Sequence, residues 1–350
     1  MKRLSLFLVT VLIGLSGCIK PDNSNDPAGP AGKSGLFIIN SGTWNYGNAT
    51  LSFYDPDEGT VEDEVFWRNN DSKLGDVAHS MTIHGNDGWI VVNNSKVIYC
   101  IGLDDFKLKG KVTGFTSPRY IHFVSDKKAY VTELYDNRIA IVDPSSYSIT
   151  GYVTVDGMDA ATGSTEQILA YGDKLLINCW SYQKSVIKVD PSTDKVVARL
   201  ETGIQPCSIA LDANNKLWVL TDGGGWDGNP IGYEAPTLSR VNPDTFETEL
   251  TLSFPLGSFP SRLQTDASGK NLYFLNGGVC RMSVSATSLP AEPIIPGYYY
   301  SMTVSPYDSD IYVGDPIDYV QNGKVYRYGQ DAKEKDSFSV GIIPENYCWM

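Results

Sequence analysis

Apolar and polar positions along the chain recur in blocks of four short runs, and the block repeats about every 44 residues. The first run of each block is marked by a pair of residues: Ser80-Met81, Tyr120-Ile121, Gln167-Ile168, Ser208-Ile209, Arg262-Leu263, Ser301-Met302 and Tyr347-Cys348. A polar turn such as Gly85-Asn86-Asp87-Gly88 or Asp126-Lys127-Lys128 then leads into a wholly apolar run, for example Trp89-Ile90-Val91-Val92 or Leu217-Trp218-Val219-Leu220. A third run ends in Asp-Pro or Asn-Pro, as in Val189-Asp190-Pro191 and Val241-Asn242-Pro243, where Asp or Asn caps the turn and Pro presets its first φ. A fourth, more polar run such as Lys195-Val196-Val197-Ala198-Arg199-Leu200 completes the block.

Four strands per block of this length predict an all-β chain folded as a seven-bladed β-propeller, because four-stranded sheets stacked radially bury one another's faces. No segment sustains a period of 3.6, so almost no helix is expected. The block nearest the start has only three runs, Leu36 to Ile39, Leu51 to Tyr54 and Val61 to Phe66. Its inner strand is expected from Asn346 to Met350, so that the two ends of the chain close the ring over residues 35–350. Trp89, Trp218 and Trp349 fall inside strands and are expected in the core.

Composition narrows the function classes. An apolar fraction of 42% is too high for a disordered chain. With 41 acidic against 28 basic residues, a net charge of -13, the chain has no long-range attraction for phosphate backbones, so no nucleic-acid partner is expected. Lys2 and Arg3 precede an apolar run from Leu4 to Leu15 that is too short to stay in a membrane and reads as a secretory signal over residues 1–17. The next residues, Leu15-Ser16-Gly17-Cys18, resemble the bacterial lipobox, which implies lipidation of Cys18 and attachment to the membrane through that lipid alone. Residues 18–34 form a polar, Pro- and Gly-containing tether. Its acidic stretch Asp22, Asn23, Asn25 and Asp26 resembles the signal that sends Bacteroidetes lipoproteins to the outer face of the outer membrane. Five further cysteines, Cys100, Cys179, Cys207, Cys280 and Cys348, show no Cys-x-x-Cys spacing and no His nearby. No zinc site is expected, and most of these cysteines read as small buried hydrophobes with at least one thiol free.

If each inner strand starts at one face, the loops between second and third strands return to that face, as do the links between blades. Those loops hold Trp44-Asn45-Tyr46, Asn93-Asn94, Tyr135 and Asn137, Trp180 and Tyr182, a long insert from Asp222 to Pro236 with Trp226 and Tyr233, and Asp315 to Tyr319. The inter-blade links add Arg119 and the run Tyr298-Tyr299-Tyr300. Aromatic side chains interspersed with amides supply rigid, amphipathic contact area, so this rim is the expected ligand-binding face. The candidate residues are Trp44, Asn45, Tyr46, Asn93, Asn94, Arg119, Tyr135, Asn137, Trp180, Tyr182, Trp226, Tyr233, Asp315 and Tyr319.

Catalytic signals are sparse. There is no Gly-x-Ser-x-Gly elbow, His-Glu-x-x-His or phosphate loop. Of three histidines, His79 and His122 flank inner strands. Glu166 is placed on an inner strand and Glu345 in the loop before the closing strand, a thin set for a channel-bound metal. The expectation is therefore a protein that binds without chemistry, with no cofactor and no metal.

The lipobox, the Asp-Pro and Asn-Pro turns and phrases such as Ile38-Ile39-Asn40-Ser41-Gly42 and Val189-Asp190-Pro191-Ser192-Thr193-Asp194-Lys195-Val196 resemble the YncE-like surface-lipoprotein propellers of Bacteroidetes over residues 35–350. The BtuG type within that group implies binding of vitamin B12 or another corrinoid and its delivery to a TonB-dependent outer-membrane transporter. A glycan-binding lipoprotein of a polysaccharide-uptake system and a protein-interaction scaffold are the alternatives.

Overall fold

The computed structural model describes residues 35–350. The expected signal at 1–17, the lipidation site Cys18 and the whole tether to residue 34 lie outside the described residues. The described chain forms seven four-stranded antiparallel sheets, the blades of one β-propeller. In blades 2 to 7 the strands follow chain order across the sheet, starting from the inner strands Ala78–His84, Pro118–Ser125, Ile168–Tyr171, Pro206–Leu211, Ser261–Thr265 and Ser301–Val304. Blade 1 is shared between the two ends of the described chain. Its inner strand Pro344–Trp349 pairs with Leu36–Asn40, with Leu36 opposite Trp349, and Thr50–Asp55 and Thr60–Glu62 follow outward.

The wholly apolar runs become second strands buried on both faces. Leu36–Asn40 is buried at all five positions, and Trp89 and Trp218 sit in the packing between neighbouring blades. The fourth strands, such as Lys195–Glu201, alternate exposed and half-buried side chains, as an outer edge does. Phe37, Leu51, Phe66, Met81, Ile90 and Ile101 form one such inter-blade core, between blades 1 and 2. Burial of each large side chain there stabilises by about 1.5–3 kcal/mol.

Inner strands have no fifth strand to pair with, and side chains cross the gap instead. Ser80 Oγ donates to Arg119 O at 2.6 Å, Thr82 Oγ1 to Ile121 O at 2.9 Å, Gln264 Nε2 to Met302 O at 2.8 Å, and Ser301 Oγ to Pro344 O at 2.6 Å.

Three expectations are corrected. The run Val61 to Phe66 pairs only over Thr60–Glu62; Glu64 takes a left-handed φ of 54°, and the chain turns into the six-residue helix Val65–Asn70, which buries Val65 and Phe66. Trp349 is half-buried, its Nε1 donating to Thr303 Oγ1 at 3.0 Å and its ring edge-on to Tyr312. The closing strand begins earlier, at Pro344, and so includes Glu345. Blade 6 has an outer strand of only two residues, Ile295–Pro296, within a stretch where Pro290, Pro293 and Pro296 offer no N–H to a ladder.

All five described cysteines are unpaired. Burial pushes the thiols of Cys100, Cys179 and Cys348 up to about 12 and that of Cys280 to about 11, which leaves them protonated and inert at neutral pH.

Candidate functional site

The inner strands are irregular at their first residues. In blade 2, Ala78 pairs with Val92 and Ser80 with Val91, so His79 is an extra residue. The same two-against-one count sets out Glu345 in blade 1 and Cys207 in blade 5. In blades 3 and 6 the register slips by one residue across Arg119-Tyr120 and across Arg262-Leu263. Each is a β-bulge, which re-aims a side chain that regular pleating would carry between blades. His79, Arg119, Tyr120, Cys207, Arg262 and Glu345 all line one cavity of about 1010 Å³ at this end of the channel, with Glu166 from blade 4 and Tyr300 from blade 7. Every blade contributes to its floor.

The charged floor groups pair with one another. Arg119 Nε donates to both oxygens of Glu166, at 3.0 and 2.9 Å. Arg262 Nη2 donates to Glu345 Oε1 at 3.1 Å, and its Nε to Tyr300 O at 3.3 Å. His79 Nδ1 stands 3.5 Å from the same Glu345 oxygen. Burial would raise the Glu345 carboxyl, but Arg262, His79 and Arg119 outweigh it and hold the group well below the usual carboxylate range. Burial, together with Arg119, lowers the His79 pKa, so its ring is neutral at pH 7. Burial and the charge of Glu166 push the Tyr120 hydroxyl up to about 12.

The walls are aromatic and apolar. Trp44, 68% exposed, and Trp180 come from loops between second and third strands. Phe259, 66% exposed, and Tyr298, 72% exposed, come from links between blades. Trp180 is held by its Nε1–H, which donates to Asp222 Oδ2 at 2.8 Å; Gln205 Nε2 and the Gly224 N–H donate to the other oxygen of Asp222. Burial nevertheless raises the pKa of Asp222. The insert after Asp222 folds back through Gly223, Gly224 and Gly225, all at positive φ, where a side chain on Gly223 would strike the Glu234 carbonyl. Buried Asn229 ties the insert down by donating to Gly224 O at 2.7 Å and Gln205 Oε1 at 3.0 Å.

Of the residues proposed from sequence, Trp44, Arg119 and Trp180 line the cavity. Tyr46, Tyr135, Tyr182, Trp226, Tyr233 and Tyr319 lie outside its lining. Tyr319 leans on the wall, with its hydroxyl 2.7 Å from that of Tyr298. The amides serve loop structure. Asn93 Nδ2 donates to Ser117 Oγ and Pro118 O, bridging blades 2 and 3. Asn137 Nδ2 donates to Met158 O, and Asp315 caps the Ile317 N–H. Asp76 gathers the Asn45 N–H and the Asn94 amide. Sequence reasoning missed Tyr120, Arg262 and Phe259 as lining residues, and placed His79 beside an inner strand without counting it in the binding set. A signal for the floor was present in the repeat itself: His79, Arg119, Glu166 and Tyr300 each stand immediately before the residue pair that marks an inner strand.

Comparison with solved structures shows the same fold at low identity. A putative 6-phosphogluconolactonase from Bacteroides fragilis matches with a TM-score of 0.67 at 11% identity, over 93% of this chain and 100% of that one. A quinonprotein alcohol dehydrogenase-like protein from Bacteroides thetaiotaomicron matches with a TM-score of 0.65 at 13% identity, over 90% of this chain and 77% of the other. The periplasmic gluconolactonase PpgL from Pseudomonas aeruginosa matches with a TM-score of 0.64 at 13% identity, over 90% of this chain and 99% of that one. These neighbours correct the expectation of a protein without chemistry. The architecture is shared with a gluconolactonase, so the exclusion of enzymatic activity does not stand, while identities this low establish the fold alone. No curated protein matches the chain. One family profile, described as "Domain of unknown function (DUF5074)", matches residues 34–333, and the chain belongs to that family.

Proposed function

We propose that the protein is a lipid-anchored outer-membrane protein, facing the cell exterior, whose bowl captures a corrinoid such as vitamin B12 and passes it to a TonB-dependent transporter. The observation that carries this reading is the bowl itself. At about 1010 Å³ it lies at the upper end of the range for small-molecule sites, and it is lined by Trp44, Trp180, Phe259 and Tyr298 above a hydrogen-bonding floor. A corrinoid is a broad disc fringed with amides, so aromatic walls meet its faces and polar groups meet its rim. The insert that carries Asp222 supports the reading too, since long loops in compact folds are more often functional than structural.

The test is calorimetry with cyanocobalamin alongside a panel of neutral oligosaccharides. Cyanocobalamin is expected to give a saturable isotherm, and combined Trp44→Ala, Trp180→Ala and Phe259→Ala changes are expected to weaken it at least tenfold. Absence of heat with any corrinoid overturns the reading, and heat with an oligosaccharide alone replaces it with glycan capture.

A further inference from the structure

Hydrogen-bond supply and demand do not balance on the floor of the bowl. The acceptors are largely spent. Both Glu166 oxygens receive Arg119 Nε, and Oε1 also receives Ser164 Oγ at 3.3 Å. Glu345 Oε1 receives Arg262 and faces His79. The donors are not spent. Among the described residues, neither Nη of Arg119 nor Nη1 of Arg262 has a hydrogen-bond partner. These nitrogens are also absent from the walled-off polar atoms that lack partners, so they face open space. Both guanidiniums line the same cavity, Arg119 from the inner strand of blade 3 and Arg262 from that of blade 6.

A guanidinium stays charged and presents its N–H groups as a planar fork, the geometry that carboxylate and phosphate oxygens accept in pairs. The chain as a whole is acidic and repels anions at long range, so any affinity for one has to be local. We infer that the floor of the bowl seats an anionic oxygen group of the ligand, a carboxylate or a phosphate, between Arg119 and Arg262. The inference rests on the reading of the bowl as a small-molecule site, and in a corrinoid the group is the phosphodiester of the nucleotide loop.

The experiment follows tryptophan fluorescence, since Trp44 and Trp180 line the bowl. Inorganic phosphate, gluconate and glucose are titrated separately at pH 7 and constant ionic strength. At least one anion is expected to bind ten times more tightly than glucose, with phosphate alone assigning the phosphate source and gluconate alone the carboxylate. Arg119→Lys and Arg262→Lys keep the charge and remove the fork, and each is expected to weaken the anion at least tenfold with the circular dichroism unchanged. Responses to phosphate and to gluconate that both fail to exceed the response to glucose in the unaltered protein, or unchanged anion binding in both folded variants, overturn the inference. Cyanocobalamin binding that neither anion competes with overturns the floor site and spares the corrinoid reading. Anion binding without any response to cyanocobalamin does the reverse.

Discussion

Glu133 ends the second strand of blade 3 almost fully buried, with its Oε2 accepting the Ser117 N–H at 2.9 Å and the Thr116 N–H beside it. Burial pushes its carboxyl up to about 7 in spite of those two donors. Between pH 4.5 and about 7 the folded chain holds a proton that the unfolded chain has lost, so this residue's contribution to stability falls as pH rises through that window, by roughly 3 kcal/mol. His79 and His122 have pKa values lowered by burial and act in the opposite sense below about pH 6.5, so the informative quantity is a difference between proteins. Glu133→Gln keeps an acceptor for both N–H groups and cannot ionise. Thermal melts from pH 4.5 to 8 are expected to show the variant gaining on the parent as pH rises, and parallel curves would refute the assignment. Residue identity alone revealed only part of the site. Trp44 and Trp180 were legible because large aromatics in loops of one face have few other uses; Arg119 was picked out as well, although it stands on the inner strand Pro118–Ser125 and not in the link between blades where the sequence placed it. Asn93 and Asn137 were not, because an amide in a loop reads the same whether it meets a ligand or a neighbouring carbonyl.

At the scale of single strands, the closing strand does two jobs. Pro344–Trp349 covers Leu36–Asn40, and the Met350 N–H donates to Gly35 O at 2.9 Å while the Tyr307 hydroxyl donates to Met350 O at 2.7 Å. The bulge at its start also delivers Glu345 to the floor. Removal of residues 343–350 exposes one edge of blade 1 and unties blade 7, and a fall in melting temperature of more than about 10 °C is expected. An unchanged melt would mean that the ring does not depend on this closure. Pairing by the last strand was legible from the count of runs, three in the first block and one left over. The bulges were not, since each lies at the first residues of its inner strand, where too little alternation precedes it for the one-residue shift to show. The helix Val65–Asn70 was missed because six residues are too few to display a helical period.

Across the whole molecule, side-chain bonds from one inner strand to the next join blade 2 to 3, 5 to 6, 6 to 7 and 7 to 1, and the inter-blade cores are shared property. The five thiols sample it well, since Cys348, Cys100, Cys179, Cys207 and Cys280 lie in blades 1, 2, 4, 5 and 6. In a urea series with iodoacetamide, all five are expected to become reactive at one midpoint, and labelling of one blade's thiol well before the others would show that blades unfold separately. The seven-fold architecture was legible because the repeat period shows directly in the order of runs. The bowl was less so, because its floor is assembled from residues far apart in sequence. That assembly has a consequence during synthesis. His79 is made early and Glu345 late, yet they meet on one floor only when the ring shuts. A ribosome-bound chain that has not passed residue 345 has no complete bowl, so the ligand capture proposed above would belong to finished molecules and could neither assist nor trap the chain while it is being made.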